Sequence, residues 1–170
     1  AAIRDDNPVI FEEHKGLYRA PALREILPDE DYVVPLGKAR IVREGSDLTI
    51  VSYGAMVHKS VEAAETMATE DGASVEVIDL RTLLPLDEDA IVESVKKTGK
   101  LLVVHEDTRT GGIAGEIAIR VSEKAFEWLD GPILRVTAID SPVPYSGSLE
   151  DYFLPQTDDV LAAARYLAAY

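Results

Sequence analysis

The sequence predicts a three-layer α/β domain, in which helices cover both faces of a mainly parallel β-sheet. Residues 74–80 are rich in apolar and β-branched side chains, which is typical of a strand buried on both faces. Pro85 cannot extend strand pairing, so the strand ends before it. Asp87 suits the first position of a helix whose opening turn carries Glu88 and Asp89 at the positive end of the helix dipole. A strand, a turn and a helix start in such close succession indicate a βαβ unit.

Apolar runs alternate with helical patterns along the rest of the chain, which predicts parallel strands joined by helices on both faces of the sheet. The predicted strands cover residues 38–43, 48–53, 74–80, 101–105 and 133–138, and the predicted helices cover 55–71, 87–98 and 158–169, with a long helix between the turn at 108–112 and about 129. The apolar stripe of that long helix ends at Trp128, and Thr157 is expected to cap the last helix. Residues 141–155 carry prolines and glycine and are expected to form a loop.

The first 37 residues lack this regular alternation and predict a separate segment. Residues 9–11 are expected to form a short buried strand after a turn cluster at 5–8. Residues 16–37 hold three prolines, two glycines and an acidic run at 29–31, which is typical of an exposed linker. We therefore expect residues 1–20 to be the remnant of a preceding domain, residues 21–37 to be a linker and residues 38–170 to be the main domain. The opening at Ala1, without Met, is interpreted as a fragment or a processed piece.

The composition indicates a folded, acidic and cysteine-free protein. The chain has 17 Lys and Arg residues against 31 Asp and Glu residues, which gives a formal net charge of −14 at pH 7. This charge argues against nucleic acid and anionic membranes as partners, and it favours either plain solubility or a basic protein partner. The lack of cysteine excludes disulfides, thiolate zinc sites and cysteine nucleophiles. Since no apolar run approaches the roughly 20 residues that cross a bilayer and no signal-peptide pattern is present, the sequence predicts a cytoplasmic protein.

The third buried strand ends in the most promising local group of polar residues. His105, followed by Glu106 and Asp107, lies at the carboxyl end of a parallel strand, where open α/β sheets place ligands. No second histidine or cysteine lies at ligand spacing, so a metal site is not expected there. His58 is interpreted as a surface or interface residue. For His14, a structural role is favoured over a site residue of the preceding domain. The serines lack a Gly-x-Ser-x-Gly elbow, and no self-sufficient active site is evident.

Gly111, Gly112 and Gly115 surround the predicted start of the next helix. Free amide groups at such a start can bind an anion, but the pattern is neither Gly-x-Gly-x-x-Gly nor a P-loop with its lysine. Small residues also let a helix start pack closely against another element. Packing or a subunit contact is therefore favoured over phosphate binding.

Several sequence blocks, in order, resemble one enzyme family. The blocks are residues 44–49, 76–82 with Pro85, 94–99, 105–106 with 110–112, 114–117, 135–136 and 140–142 with Pro144, together with 7–8, 11–12 and 17–19 of the leading segment. By these blocks the chain resembles the beta subunit of the decarboxylase component of 2-oxo acid dehydrogenases, whose carboxy-terminal part has the transketolase C-terminal fold. The combination of 105–106 with 110–112 resembles the branched-chain members more than the pyruvate members.

The resemblance implies an enzyme whose active site is divided between subunits. In that family thiamine diphosphate lies between the alpha and beta subunits of a heterotetramer, the alpha subunit holds the diphosphate and magnesium, and the amino-terminal domain of beta supplies an activating glutamate. This chain resembles the end of that amino-terminal, pyrimidine-binding domain and the whole carboxy-terminal domain. No catalytic, cofactor-binding or metal-binding residue is therefore expected in this segment, which alone is expected to be inactive.

The resemblance also implies contacts with other proteins. In the family the carboxy-terminal beta domain assembles the tetramer with the alpha subunit and a second beta subunit, and it docks the small, basic subunit-binding domain of the acyltransferase core, which the charge of −14 fits. The candidate interface and docking residues are His105, Glu106, Gly111, Gly112, Gly115, Asp158, Asp159 and Tyr170. The alternatives are the beta subunit of a pyruvate or acetoin dehydrogenase, or the carboxy-terminal part of a transketolase or deoxyxylulose-phosphate synthase. The expected location is the cytoplasm of a bacterium or archaeon, or the mitochondrial matrix of a eukaryote.

Overall fold

Five strands form one mixed sheet in the computed structural model, which describes residues 1–170 except residues 25, 27, 30 and 31. The strands are β1 (Arg40–Arg43), β2 (Leu48–Ser52), β3 (Val75–Asp79), β4 (Leu101–Thr108) and β5 (Leu134–Ala138). Their order across the sheet is β1-β3-β2-β4-β5, with β1 antiparallel to β3 and the other neighbours parallel.

Helices cover both faces of this sheet. The α-helices of the described residues are α1 (Ala55–Glu70), α2 (Glu88–Thr98), α3 (Ile113–Ala125), α4 (Gly147–Phe153) and α5 (Thr157–Ala168), and 3-10 helices cover Ala2–Arg4, Lys15–Arg19, Pro21–Leu23 and Phe126–Trp128. Helices α1 and α5 pack on one face, and α2 and α3 pack on the other. The predicted three-layer α/β/α class is confirmed. Across the described parts of the chain, no helix has the length and apolar character needed to cross a membrane.

Strand geometry explains the two layers of core. Successive side chains of β2 point to opposite faces, so Leu48 and Ile50 pack with α1 and α5 whereas Val51 packs with α2 and α3. Every residue of β2 is buried, as expected for a parallel strand that is covered on both faces. The sheet is therefore a rigid support for the polar residues at its two ends.

We name those two ends the carboxyl edge and the amino edge. The carboxyl edge is defined by Ser52, Asp79, Thr108 and Ala138, the last residues of the parallel strands. The amino edge is the opposite end, where these strands begin and where α1, α2 and α5 finish. Loops that follow parallel strands meet at the carboxyl edge, where α/β proteins place their functional groups.

The leading segment differs from the expectation. Residues 9–11 form no strand in the described structure, and Ile10 and Phe11 are 89% and 73% exposed. A strand needs a neighbour for its backbone groups, and none of the described strands pairs with this segment. The expected buried strand is therefore wrong. The expected linker over 21–37 includes residues 25, 27, 30 and 31, which lie outside the described residues, so the three-part division stays a prediction.

The main domain follows the predicted element order, with corrections at element ends. β4 continues to Thr108 instead of ending at His105, and α3 ends at Ala125 before a 3-10 turn. Trp128 is 47% exposed because the change to 3-10 geometry takes it off the buried stripe. The predicted loop over 141–155 contains α4, a helix of two turns that buries Phe153 and is too short for its periodicity to be recognised.

Two predicted helix caps act differently from the expectation. Asp87 stands at the N-cap of α2, but its carboxylate accepts a hydrogen bond from the backbone N–H of Ala39 at 2.9 Å and caps no described helix. In α5 the cap is Gln156 instead of Thr157, because Gln156 and Asp159 form a reciprocal capping box. Glutamine is not among the preferred N-cap residues, which explains why the sequence favours threonine.

Candidate functional site

His105 is the buried centre of the carboxyl edge. Its side chain is fully buried in β4, and its imidazole stacks on the ring of Tyr53 with 6.1 Å between centroids and 28° between planes. The Nε2 atom accepts a hydrogen bond from the backbone N–H of Ala114 at 3.4 Å. A residue of β4 therefore satisfies an amide in the first turn of α3 that has no partner within the helix.

This hydrogen bond defines the protonation of His105. Because Nε2 accepts, the neutral imidazole carries its proton on Nδ1, and that buried atom has no hydrogen-bond partner among the described residues. Burial lowers the pKa of His105, the carboxylate and backbone of Asp107 act in the opposite direction, and Arg135 adds to the lowering. The ring is held neutral, and it serves the helix as a hydrogen-bond acceptor.

Two of the glycines at the start of α3 are required by the fold itself. Gly111 has a φ of +83°, which residues with a side chain rarely adopt. A Cβ atom on Gly112 would lie 2.5 Å from the backbone oxygen of Thr108 and 2.6 Å from Cε1 of His105. The space in front of the helix is filled by the strand and the imidazole, so a phosphate would not fit there.

Gly115 is different, because nothing in the described structure requires a glycine at this position. Its Cβ position has no described heavy atom within 4 Å, and its φ lies outside the left-handed region. It borders an open groove between α3 and the unpaired outer side of β5 in the described sheet, lined by Ala114, Gly115, Ala118, Ile133, Leu134 and Arg135. Glycine within a helix costs roughly 0.5–1 kcal/mol relative to alanine, and no contact within the described chain accounts for it here.

Exposed polar contacts join the loops around the buried imidazole. Oε2 of Glu106 lies 3.3 Å from Nε2 of His14, which connects the leading segment to β4. Asp140 accepts hydrogen bonds from the hydroxyl of Thr110 at 2.6 Å and from its backbone N–H at 2.8 Å, and these bonds lower the pKa of Asp140. The loops after β4 and β5 are therefore held together. Exposed contacts of this kind add little stability, so their main effect is positional.

Burial shifts the pKa values of other polar groups at this edge. Burial raises the pKa of Asp79 against opposing contributions from Arg81, and burial together with nearby carboxylates raises the pKa of Tyr53 to about 12. The buried hydroxyl of Ser52 has no hydrogen-bond partner in the part of the chain that the structure describes, so no base activates it. Among the described His, Asp and Glu side chains, no group of three is placed to hold a metal ion.

The structure separates the remaining predicted docking residues. Asp158 and Asp159 are exposed in the first turn of α5, at the carboxyl edge and on the face opposite α3. Tyr170 lies beyond the other end of this 12-residue helix, roughly 18 Å away, with its ring 5.6 Å from that of Tyr166. The two acids and the terminal tyrosine therefore belong to different surfaces. His105 and Gly112 are buried beneath the α3 start, so any effect of theirs on a partner is indirect.

Residues 37–160 match the family model of the transketolase C-terminal domain. The chain belongs to this family. The match includes every strand of the described sheet and ends within α5. The transketolase C-terminal domain therefore comprises the sheet, α1 to α4 and both polar edges.

Curated relatives of this domain are beta subunits of dehydrogenases. The chain is 47% identical over 171 residues to the 2-oxoisovalerate dehydrogenase subunit beta of Bacillus subtilis, which covers 100% of this chain and 51% of that protein. It is 47% identical over 165 residues to the pyruvate dehydrogenase E1 component subunit beta of the same organism, and the alignment covers 97% of this chain and 50% of that protein. It is 48% identical over 164 residues to an acetoin:2,6-dichlorophenolindophenol oxidoreductase subunit beta of Cupriavidus necator, and the alignment covers 96% of this chain and 47% of that protein. The resemblance to these beta subunits is confirmed, and the chain spans about half the length of the curated relatives it matches.

Solved structures agree on the fold. A split-gene transketolase described as an inactive beta4 tetramer superposes with a TM-score of 0.70 at 28% identity, over 85% of this chain and 45% of that one. A transketolase of Pichia stipitis has a TM-score of 0.54 at 14% identity, over 78% and 18% of the two chains, and shares the fold alone.

Sequence reasoning missed Tyr53 and Ala114, the two residues that fix the His105 ring. A signal for Tyr53 was present, because it follows a buried strand at the same edge of the sheet as His105. The contribution of Ala114 is a backbone amide, which no side-chain pattern can indicate.

Proposed function

We propose that this chain is the carboxy-terminal part of the beta subunit of a thiamine-diphosphate-dependent 2-oxo acid dehydrogenase of the branched-chain type. The complete enzyme would decarboxylate a branched-chain 2-oxo acid oxidatively and transfer the acyl group to a lipoyl group. The proposal rests on the 47% identity, over the whole chain, to a 2-oxoisovalerate dehydrogenase beta subunit. The block that joins His105 and Glu106 to Thr110, Gly111 and Gly112 supports the branched-chain preference. The proposed location is the bacterial or archaeal cytoplasm, or the mitochondrial matrix in a eukaryote.

Thiamine diphosphate and magnesium belong, in this proposal, to the other parts of the complete enzyme. The described residues do not fit either group, because Gly112 and His105 fill the space before α3 and the described acids and histidines form no metal cluster. No step of the reaction is assigned to this segment. Its contribution is assembly and docking.

The assembly contact with a second beta subunit is assigned to the groove between α3 and β5. Gly115 and Ala118 allow a neighbouring backbone to approach closely, and the unpaired side of β5 in the described sheet offers backbone hydrogen-bonding groups. Exposed apolar side chains near the groove and along the carboxyl edge would lose water on contact with the second beta subunit or the alpha subunit. They are Ile119, Phe126, Val143, Tyr145, Leu149 and Tyr152.

The docking contact for the basic subunit-binding domain of the acyltransferase is assigned to the first turn of α5. Asp158 is exposed there and forms no ion pair with a described residue. Asp159 is part of the capping box, so it contributes charge while holding the helix start. The net charge of −14 would attract a basic partner from a distance.

A pair of glycine variants tests the assembly contact. The full gene product that contains this sequence is co-expressed with its alpha subunit, and its mass is measured by sedimentation. Gly115→Leu should reduce a heterotetramer to smaller species, because leucine blocks the close approach. Glu65→Leu is the control, since it places the same leucine at an exposed helical position of α1, on the face of the sheet opposite the groove. An intact tetramer with Gly115→Leu would overturn this interface.

Substrate preference is tested on the same heterotetramer with an artificial electron acceptor. A branched-chain enzyme should show a higher kcat/KM for 2-oxoisovalerate than for pyruvate. The second candidate, a pyruvate dehydrogenase beta subunit, is favoured by the equal identity of 47% over 165 residues and predicts the reverse order. Failure to bind any alpha subunit would contradict both.

A further inference from the structure

We propose that the imidazole of His105 is a pH-sensitive cap, which holds the start of α3 when neutral and loosens it when protonated. The inference rests on the proposed subunit contact of α3 and adds a means of regulating it. Acidification would weaken assembly through a buried group that lies outside the contact surface.

The geometry of the cap determines the direction of the effect. In the neutral ring, Nε2 accepts the hydrogen bond of Ala114 at 3.4 Å. Protonation places an N–H group on Nε2, so two donors face each other and the hydrogen bond is lost. The same step puts a positive charge beside the positive end of the α3 dipole, which is unfavourable. The ring cannot turn away freely, because Gly112 packs against Cε1 so closely that a Cβ would lie 2.6 Å from it.

The surroundings of the ring set the pH range of this switch. The titratable and charged groups that face it from the packed elements are Tyr53, Glu106, Asp107 and Arg135, with His14 beyond Glu106. Burial lowers the pKa of His105 from its ordinary value of 6.5, Asp107 opposes this, and Arg135 adds to it. Tyr53 stays neutral, since its pKa is raised to about 12. Protonation is therefore expected on the acidic side of pH 6.5.

The hydrogen bond between His105 and Ala114 lies close to the proposed subunit contact. Ala114 and Gly115 are adjacent in the first turn of α3, so a loss of the Ala114 hydrogen bond displaces the glycine that faces the groove. The other restraints of the first turn are the hydrogen bond from the N–H of Gly115 to the carbonyl of Gly112 at 3.2 Å and the burial of Ala114. The groove would lose its defined shape at the position where a second subunit approaches.

The test is hydrogen exchange of the α3 first turn in the assembled protein, corrected for the intrinsic pH dependence of exchange and followed by mass spectrometry. As the pH falls from 7.5 through the lowered pKa of His105, protection should fall about five- to tenfold, as expected for the loss of one hydrogen bond. His105→Gln keeps an acceptor without a titrating group and should show no fall. His14→Gln and His58→Gln are the controls that remove the other two histidines of the chain, and both should behave as the natural protein. An equal fall in His105→Gln would overturn the proposal.

A second measurement covers the case in which His105→Gln does not fold. The exchange of the imidazole C2 hydrogen reports the titration of His105 in the unmodified protein. Its midpoint should coincide with the loss of α3 protection, and a separation of more than one pH unit would overturn the proposal. Sedimentation over the same range distinguishes the cap from the proposed function. If α3 protection falls with pH but the protein does not self-associate at any pH, the result supports the cap and contradicts the α3 subunit contact.

Discussion

The amino and carboxyl edges of the sheet bury polar groups in opposite ways. At the amino edge, the carboxylate of Glu76 in β3 is fully buried and accepts hydrogen bonds from Nζ of Lys97 and from the hydroxyl of Ser94. The hydroxyl of Thr49 lies 2.6 Å from those of both Ser94 and Thr98, so three elements share one network. Every side chain of this network has its hydrogen-bonding partners inside the chain.

The carboxyl edge leaves comparable groups unsatisfied. Within the described residues, neither Nδ1 of His105 nor the hydroxyl of Ser52 has a hydrogen-bond partner, although both are buried. Buried polar groups are nearly always hydrogen-bonded in folded proteins, so exceptions call for an explanation. The amino edge is therefore a self-contained network, whereas the carboxyl edge keeps two buried polar groups without a partner among the described residues.

Lys97→Met should have the largest effect, because it breaks the amino-edge network. The variant leaves the buried carboxylate of Glu76 without its cation, and we expect a loss of about 2–3 kcal/mol in the free energy of unfolding. The value lies at the low end for a broken buried pair, since Lys97 is half-exposed and water can enter. Urea denaturation at pH 7.5 measures it.

Lys96→Met is the matched control for this prediction. Lys96 is the preceding residue of α2, and its partner Glu93 is an exposed residue three positions earlier. Such a pair contributes under about 0.5 kcal/mol. Equal losses in the two lysine variants would mean that the amino edge is not a closed network, and the comparison of the edges would fail.

Gly112→Ala should have the next largest effect, and it examines the carboxyl edge. The new Cβ would meet the backbone of Thr108 and the ring of His105, so we expect a loss of about 1–2 kcal/mol. Gly115→Ala should instead raise the stability of the monomer by up to about 1 kcal/mol, because its Cβ position is open in the described structure. Thermal unfolding of the two variants at low protein concentration measures both the expected loss and the expected gain of stability. A gain with Gly112→Ala would contradict the packing of the imidazole against the helix start.

The sequence predicted the fold well and the two edges poorly, for a physical reason. Elements such as α2 are indicated by local signals, since Asp87 precedes its first turn and Gly99 ends it with a φ of +69°. The roles of Glu76, Gly112 and Gly115 depend on residues that are distant in sequence. A buried acid in a strand cannot be interpreted until Ser94 and Lys97 are brought to it, and two neighbouring glycines cannot be distinguished before the His105 ring is placed.

Measurements of stability at several pH values should distinguish the two edges, with smaller effects than the variants above. Burial alone would raise the pKa of Glu76, but hydrogen bonds from Lys97 and Ser94 more than compensate and leave it below the ordinary 4.5. Its contribution to stability is therefore present above pH 4.5 and is lost as the pH falls through the lowered pKa. The lowered pKa of His105 has the same sign but acts from pH 6.5 downward.

Urea denaturation at pH 7.5, 5.5 and 4.0 should show these two steps. His105→Gln should remove the loss of stability that begins below pH 6.5 and leave the loss below pH 4.5. Lys97→Met should leave the first loss unchanged and make the second smaller, because the paired state of Glu76 no longer forms while other carboxyls with lowered pKa values, such as Asp140, still titrate in the acid range. A single step shared by both variants would indicate that the two edges are coupled.

Asp158→Asn should give the smallest effect and concerns the charge that the carboxyl edge offers to a partner. Asp158 is exposed and makes no ion pair with the described residues, so its removal should leave stability within about 0.5 kcal/mol. A basic subunit-binding domain should bind about two- to fivefold more weakly, with a shallower dependence on salt, because one exposed charge pair is lost.

Asp159→Asn is the informative companion, since it also breaks the capping box with Gln156 and should lower both affinity and stability. Calorimetric titration at 50 and 300 mM salt distinguishes the cases. If neither variant changes the affinity or its salt dependence, the docking site is not at the start of α5, and the separate surface around Tyr170 becomes the place to test.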